Sequence, residues 1–233
     1  MSNKSKENSE WNWVFNNYQK SPTTAFIKAF QIGCEDGAVN FIEEIEESAK
    51  NHKVNPDFLF SRIYFEYLYF FLHLLDRNMF AELGAEKRTK FMNSFTTKAF
   101  NTVLENFDSR DKKQLFNVLC DGYNDATEQY LPYQNMLPPR DKPFSVDALS
   151  PQLGMRIARV LQLDMNDPAN KLKMSSTTYT PIAIFQVMVD LREWAKGPIM
   201  ELGLKNYKSI KLVDDEKQNR ITKTLKRLNK PAD

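Results

Sequence analysis

The length, composition and charge of the chain exclude several classes of protein. Its 233 residues are 42% hydrophobic and 27% charged, which excludes an intrinsically disordered chain and predicts a folded core. A formal net charge of +2 provides no general attraction to nucleic acid or to a membrane surface. Two cysteines without a C-x-x-C motif argue against a disulfide scaffold, so we expect reduced thiols and a cytoplasmic protein.

The spacing of the apolar residues predicts an all-α protein. Apolar side chains recur mainly at intervals of three and four residues, and the chain has only seven glycines, as is typical of helices. We expect a soluble bundle of roughly seven helices around a central aromatic-rich helix, residues 56–82. Charged residues interrupt the apolar run of that helix, so the sequence predicts no transmembrane segment. Gly84 is where we expect the central helix to end.

Proline and polar segments divide the chain into four parts. Residues 1–22 form a polar and aromatic N-terminal arm, and residues 23–130 form a first helical sub-bundle. Residues 131–144 contain four prolines and predict an irregular connection. Residues 145–230 form a second helical sub-bundle that ends in a basic helix. We expect the two sub-bundles to make one compact domain.

Local signals in the second sub-bundle predict three elements. A helix is expected near residues 151–165, after the helix-start signal Ser-Pro. β-branched residues and some alternation in 171–179 indicate a short hairpin. A strongly apolar helix is expected to begin at Pro181 and to end at Gly197-Pro198, because this dipeptide usually interrupts a helix.

The central helix carries a row of polar residues on an otherwise apolar surface. Its core, SRIYFEYLYFFLHLLDR, spans residues 61–77. At about 100° per residue, the members of this polar row share one narrow arc: Arg62, Glu66, Tyr69, His73, Asp76 and Arg77.

Two interpretations of the polar row are open. We favour a strip that faces water, because charged residues are seldom fully buried. Arg62 would then pair with Glu66, and His73 with Asp76. In the alternative, the row lines an internal cleft, where His73, Asp76 and Glu66 are the candidate catalytic groups.

In that cleft, further members of the row would hold a ligand. The candidates are Arg62, Tyr69 and Arg77, because guanidinium groups bind anions and a tyrosine ring offers both an apolar face and a hydroxyl. The sequence gives no other indication of chemistry. It contains no Glu-x-x-His, His-Glu-x-x-His, G-x-S-x-G or phosphate-loop motif, so we predict neither a metal nor a cofactor.

Two segments are candidates for binding a partner. Trp11 and Trp13 follow a polar tail, and exposed tryptophans are frequent at protein interfaces, although packing of this arm against the bundle is the commoner outcome. Residues 205–230 contain nine Lys or Arg and three acidic residues, a net charge of +6. Lys223, Lys226 and Arg227 in this segment would bind an anionic partner, for which nucleic acid, an acidic protein surface and an anionic lipid surface all stay open.

From the sequence we favour a non-enzymatic helical interaction or regulatory protein that acts through its aromatic and charged helix surfaces. Its partner is expected to be another protein, and homo-oligomer formation stays open. The competing hypothesis is a helical-bundle enzyme or small-ligand-binding protein that uses the polar row in an internal cleft.

Overall fold

A computed structural model describes residues 3–49, 56–105, 111–139, 142, 145–210 and 212. Within these ranges the regular structure is entirely helical, which confirms the all-α prediction of roughly seven helices. The helices are α1 (Asn3–Tyr18), α2 (Pro22–Ala49), α3 (Pro56–Leu104), α4 (Lys112–Tyr130), α5 (Leu149–Val160), α6 (Pro168–Met188) and α7 (Leu191–Glu201).

Helices α6 and α7 begin at capping aspartates. The side chain of Asp167 accepts a hydrogen bond from the backbone N–H of Ala169 at 2.9 Å, just before α6. Asp190 does the same for Arg192 at 3.2 Å before α7. These carboxylates satisfy N–H groups that have no partner within the helix, and their charge is favourable at the positive end of the helix dipole.

Helix α3 reverses direction at Gly84. Its backbone there has φ 73° and ψ 173°, a region that is nearly restricted to glycine. The prediction that the first half ends near Gly84 is therefore confirmed. The reversal brings Arg88 back to Asp76, with which it forms an ion pair. In a straight helix these residues would lie about 18 Å apart along the axis, which is beyond the reach of their side chains.

The first half of α3 is the centre of the aromatic core. Phe71 is fully buried and stacks on Phe185 of α6, with ring centroids 4.0 Å apart. Phe70 is also fully buried and meets Tyr130 of α4 edge-on at 5.4 Å. Phe30 of α2 meets both Phe71 and Phe185 edge-on, with ring centroids 6.2 Å and 5.5 Å away. The predicted central aromatic-rich helix is thus present.

The N-terminal arm is a helix that packs against α7. Trp11 is buried, and its ring lies 6.0 Å from that of Phe15. The hydroxyl of Tyr18 donates to the carbonyl of Trp194 and accepts from the N–H of Gly197 at 3.1 Å. Packing of the arm is therefore confirmed, whereas the division of the chain at residues 131–144 stays a prediction.

Two predictions about the second sub-bundle are wrong. Helix α6 spans the expected hairpin at 171–179 and continues through Pro181, and α7 continues through Pro198. Both helices are held by packing on either side of the proline, which outweighs the lost hydrogen bond. Gly197 serves close packing, because an added Cβ there would lie 2.4 Å from Pro22.

The predicted basic helix near residues 208–229 lies largely outside the described residues, and its described part, residues 208–210 and 212, is not helical. In the part of the chain that is described, one helix, Phe58–Leu104, is long and apolar enough by composition to cross a membrane. Its most apolar window is 72% buried inside the protein, as in the core helix of a bundle. The absence of a transmembrane segment stays a prediction.

Substitution of Phe71 by Ala tests the central position of α3. We expect a loss of about 3–5 kcal/mol in the free energy of unfolding, because the change opens a cavity next to Phe185. The control is Phe80→Ala on the same helix, where the side chain is 59% exposed and the expected change is within about 0.5 kcal/mol. Urea unfolding measures both; equal effects would contradict the placement of Phe71.

Candidate functional site

The middle of the polar row is buried. His73 is 2% exposed, Tyr69 5%, Asp76 6% and Glu66 9%, so the prediction of a strip facing water is wrong for these four residues. The physical reason is that α4 and α5 both pack on this side of α3, while Arg156 of α5 and Arg88 from the second half of α3 neutralise the carboxylates. Of the two arginines in the row, Arg62 is exposed and Arg77 is half-buried.

Glu66 is paired with an arginine that lies 90 positions further along the chain. Nε of Arg156, in α5, donates to Oε2 of Glu66 at 2.5 Å, and Nη2 donates to Oε1 at 3.4 Å. Nη1 of Arg156 donates to Asp125 of α4 at 2.6 Å. Burial raises the pKa of Glu66, and the hydrogen bond and charge of Arg156 oppose this shift. Arg156 thereby joins α3, α4 and α5.

Asp76 is paired with Arg88 across the reversal at Gly84. Only Oδ2 of Asp76 and Nη2 of Arg88 take part in this contact. The second carboxylate oxygen, Oδ1, and the Nε of Arg88 are buried and have no hydrogen-bond partner. The predicted pair between Asp76 and His73 does not form.

His73 is buried without a hydrogen bond to either ring nitrogen. Burial lowers its pKa to about 4, and the positive charges of Arg77 and Arg88 act in the same direction. The imidazole is therefore neutral at pH 7, with one nitrogen as donor and the other as acceptor. A group with this low basicity is poorly matched to general-base catalysis at neutral pH.

The ring of Tyr130, at the end of α4, lies beside His73 and Arg156. Its centroid is 5.3 Å from that of His73, and the guanidinium carbon of Arg156 lies 6.0 Å from it. The Tyr130 hydroxyl is buried and has no partner. Burial raises the pKa of this phenol, so it keeps its proton at neutral pH.

Unpartnered polar atoms are concentrated in this region. Among the described residues, ten buried side-chain polar atoms lack a hydrogen-bond partner, and five of them belong to His73, Asp76, Arg88 and Tyr130. Buried polar atoms in folded proteins normally have a partner, either protein or an ordered small molecule such as water. We call the set of residues that surrounds these atoms the polar centre: Glu66, His73, Asp76, Arg88, Tyr130 and Arg156.

The remaining residues predicted for ligand binding lie around the polar centre and have other contacts. Arg77 donates to the backbone carbonyls of Tyr133 at 3.0 Å and Gln134 at 3.2 Å, which ties the segment after α4 to α3. Tyr69 is buried against Tyr123. The exposed Arg62 lies over the ring of Phe58.

Three residues of the polar centre were missed by sequence reasoning: Arg88, Tyr130 and Arg156. The one available signal was Arg156, because it stands between Leu153 and Ile157 on the apolar side of α5, where an arginine needs a partner. No spacing rule connects it to Glu66. Metal chemistry has little geometric support, since no group of three or more His, Cys, Asp or Glu residues converges in the described ranges.

The residues predicted to bind a partner are separated in the structure. Trp11 is buried, whereas Trp13 is 44% exposed on the outer side of α1. Trp11 is therefore unavailable as a docking residue in this structure. Lys223, Lys226 and Arg227 lie outside the described residues, and their role stays a prediction.

Comparisons of the chain with protein-family models, curated proteins and solved structures found no match. The polar centre is therefore interpreted from its own geometry.

Substitution of Arg156 by Met tests whether the buried ion pair holds α5 on α3. We expect a loss of about 3–5 kcal/mol in the free energy of unfolding, because Glu66 would be left buried without a partner. Arg159→Met, three residues along the same helix at an exposed position, is the control and should change stability by about 0.5 kcal/mol or less. Similar losses for both variants would argue against the buried pair.

The buried neutral His73 predicts a specific dependence of stability on pH. Its folded pKa of about 4 lies below the unfolded value of about 6.5, so protons bind preferentially to the unfolded state. Neutral His73 makes its full contribution to the free energy of unfolding above about pH 6.5. This contribution falls between pH 6.5 and 4 and stays constant below pH 4. The total loss corresponds to about 3 kcal/mol.

The difference in stability between the wild type and His73→Gln isolates this effect. The raised pKa of Glu66 contributes in the opposite direction in both proteins, because its folded form takes up a proton first as the pH falls. Chemical denaturation at several pH values measures the difference. A constant difference between pH 7 and pH 4 would show that His73 is not buried in its neutral form.

Proposed function

We propose that the chain is a binding protein for a small molecule held at the polar centre, and that it acts without catalysis. The observation that carries the proposal is His73, a 2% exposed imidazole with both nitrogens unpartnered. Leaving such groups unsatisfied costs about 1–3 kcal/mol each. A molecule that supplies the missing hydrogen bonds would therefore stabilise the folded protein.

The polar centre is suited to binding more than to chemistry. Its two acidic groups are engaged by arginines, Glu66 by Arg156 and Asp76 by Arg88. Its histidine has a lowered pKa and no carboxylate oriented against it. A rigid, ion-paired surrounding favours the retention of one ligand geometry, since little conformational entropy is lost on binding.

A second proposal is the one that we favoured from sequence, a non-enzymatic interaction or regulatory protein. It is supported by Trp13, which is 44% exposed on α1 while neighbouring Trp11 is buried. Tryptophan is enriched at the energetic centres of protein interfaces. An anionic partner of the basic segment 205–230 also remains part of this proposal.

The two proposals imply the same cellular location for the protein. We propose a soluble cytoplasmic chain, supported by the 72% burial of the most apolar window of α3 and by the free thiols of Cys34 and Cys120.

Native mass spectrometry of the purified full-length chain tests ligand binding. We expect a noncovalent mass in addition to that of the chain, lost on denaturation and absent in His73→Phe, which keeps a ring but removes both nitrogens. The control Arg62→Gln alters an exposed member of the row and should retain the bound mass.

Thermal denaturation of the same variants distinguishes a polar centre that holds a ligand from one that holds none. If the site is empty, His73→Phe removes two unsatisfied polar atoms and should raise the melting temperature. If a ligand is bound, the variant loses the stabilisation that the ligand provides. A chain with no bound mass and a more stable His73→Phe variant would contradict ligand binding.

A further inference from the structure

The reversal of α3 takes place at one residue. Between Pro56 and Leu104, Gly84 alone has non-helical dihedral angles, φ 73° and ψ 173°, a combination that is nearly restricted to glycine. Connections between neighbouring helices in bundles usually take about two to eight residues. Rotation about the backbone of Gly84 therefore suffices to convert the two halves of α3 into one straight helix of 49 residues, about 73 Å long.

The sequence around Gly84 favours the straight helix. Residues 81–83 are Ala-Glu-Leu and residues 85–88 are Ala-Glu-Lys-Arg, all of them strong helix formers. The chain contains no proline between Pro56 and Pro132, so proline does not interrupt α3. The bent form therefore depends on the conformation of Gly84 and on tertiary contacts between the two parts of the chain that it connects.

These tertiary contacts bury aromatic rings between the two parts. The first part consists of α1, α2 and the first half of α3, and the second part consists of the second half of α3 and α4–α7. Phe30 meets Phe95 at 5.4 Å, and Phe71 stacks on Phe185; each of these rings is at most 2% exposed. A straight α3 in a single copy would expose them to water, which is unfavourable. A second copy in the same straight form would cover them again.

The charges of the two parts are complementary. In three ion pairs that join them, the first part supplies the carboxylate and the second part supplies the cation: Glu66–Arg156, Asp76–Arg88 and Glu82–Lys205. If two copies exchanged their first parts, each of these pairs would form between the copies instead of within one. The exchange would therefore leave no buried charge without its counter-ion.

The surface near Gly84 can accommodate the straight form. A Cβ atom at Gly84 would have no other atom within 4 Å, and the nearby ring of Phe80 is 59% exposed. In a straight helix, Phe80 and Gly84 lie between Asp76 and Arg88 within an arc of about 120°. This is the side on which Asp76 and Arg88 would pair with the second copy, so the dimer would cover a ring that the bent form leaves in water.

We propose that Gly84 is the hinge of a dimer in which two copies of the chain exchange their first parts across straight α3 helices. The partner is a second copy of this chain, and the exchange is reciprocal, so assembly stops at two copies. This inference goes beyond the proposed function and does not depend on it. The contacts of the polar centre are kept, but each polar centre is built from both copies.

Gly84→Ala tests the hinge. The free space accepts the added methyl group, but alanine rarely adopts a φ of 73° and favours a continuous helix. Full-length chains are unfolded in urea, refolded at several protein concentrations and analysed by sedimentation equilibrium. We expect a dimer of the wild type at high concentration, and a dissociation constant at least about tenfold lower for the variant.

The matched control is Gly203→Ala. Gly203 also has a positive φ, 63°, and free space around its Cβ position, but it lies beyond the end of α7 and not between two helices. Its replacement introduces the same unfavourable backbone conformation without lengthening α3. The dissociation constant of this variant should equal that of the wild type.

A zero-length cross-link between Lys205 and Glu82 distinguishes exchange from ordinary association. These two side chains form an ion pair and belong to different parts of the chain. Equal amounts of ¹⁴N and ¹⁵N chains are refolded together, coupled with a carbodiimide and digested. An exchanged dimer gives cross-linked peptides that combine the two isotopes, whereas copies that associate side by side give cross-links within one isotope only.

Two results would overturn the proposal. The first is a wild type that stays monomeric at every concentration, whatever the variants do. The second is a dimer whose Lys205–Glu82 cross-links contain one isotope only. If Gly84→Ala fails to fold, insertion of three glycines after Gly84 decides the role of the hinge, because a longer connection favours the bent form. This insertion should raise the dissociation constant at least about tenfold; an unchanged dimer would show that Gly84 is not the hinge.

Discussion

The burial of the polar row depends on the ion pair between Glu66 and Arg156. A carboxylate that is 9% exposed is destabilising unless a cation and further hydrogen bonds accompany it. Arg156 provides both, and because it also contacts Asp125, it fixes α5 and α4 on the same side of α3. His73 and Tyr130 are buried as a consequence of this packing, without partners of their own.

The reversal of α3 at Gly84 supplies the second arginine of the polar centre. The backbone at this position, with φ 73° and ψ 173°, returns the chain so that Arg88 meets Asp76. The same reversal places Phe95 against Phe26 and Phe30 of α2. The conformation of Gly84 therefore positions Phe95 in the aromatic core. It also positions Arg88, the counter-ion of Asp76, near His73.

Sequence periodicity predicted the helices well because it depends on local geometry. The same pattern identified the polar row but not the helices that cover it. Arg156 lies 90 positions from Glu66, and no local sequence rule predicts that the two are in contact. The polar row was therefore expected to face water. Pro181 and Pro198 were misinterpreted for a related reason, since tertiary packing continued α6 and α7 through residues that usually interrupt helices.

The most direct test of the buried polar centre is an NMR titration of the His73 imidazole in the folded protein. The burial of His73 and the charges of Arg77 and Arg88 predict a pKa of about 4, with the neutral ring present at pH 7. A pKa near the ordinary value of about 6.5 would place the row in water and would remove the basis for a ligand at this site.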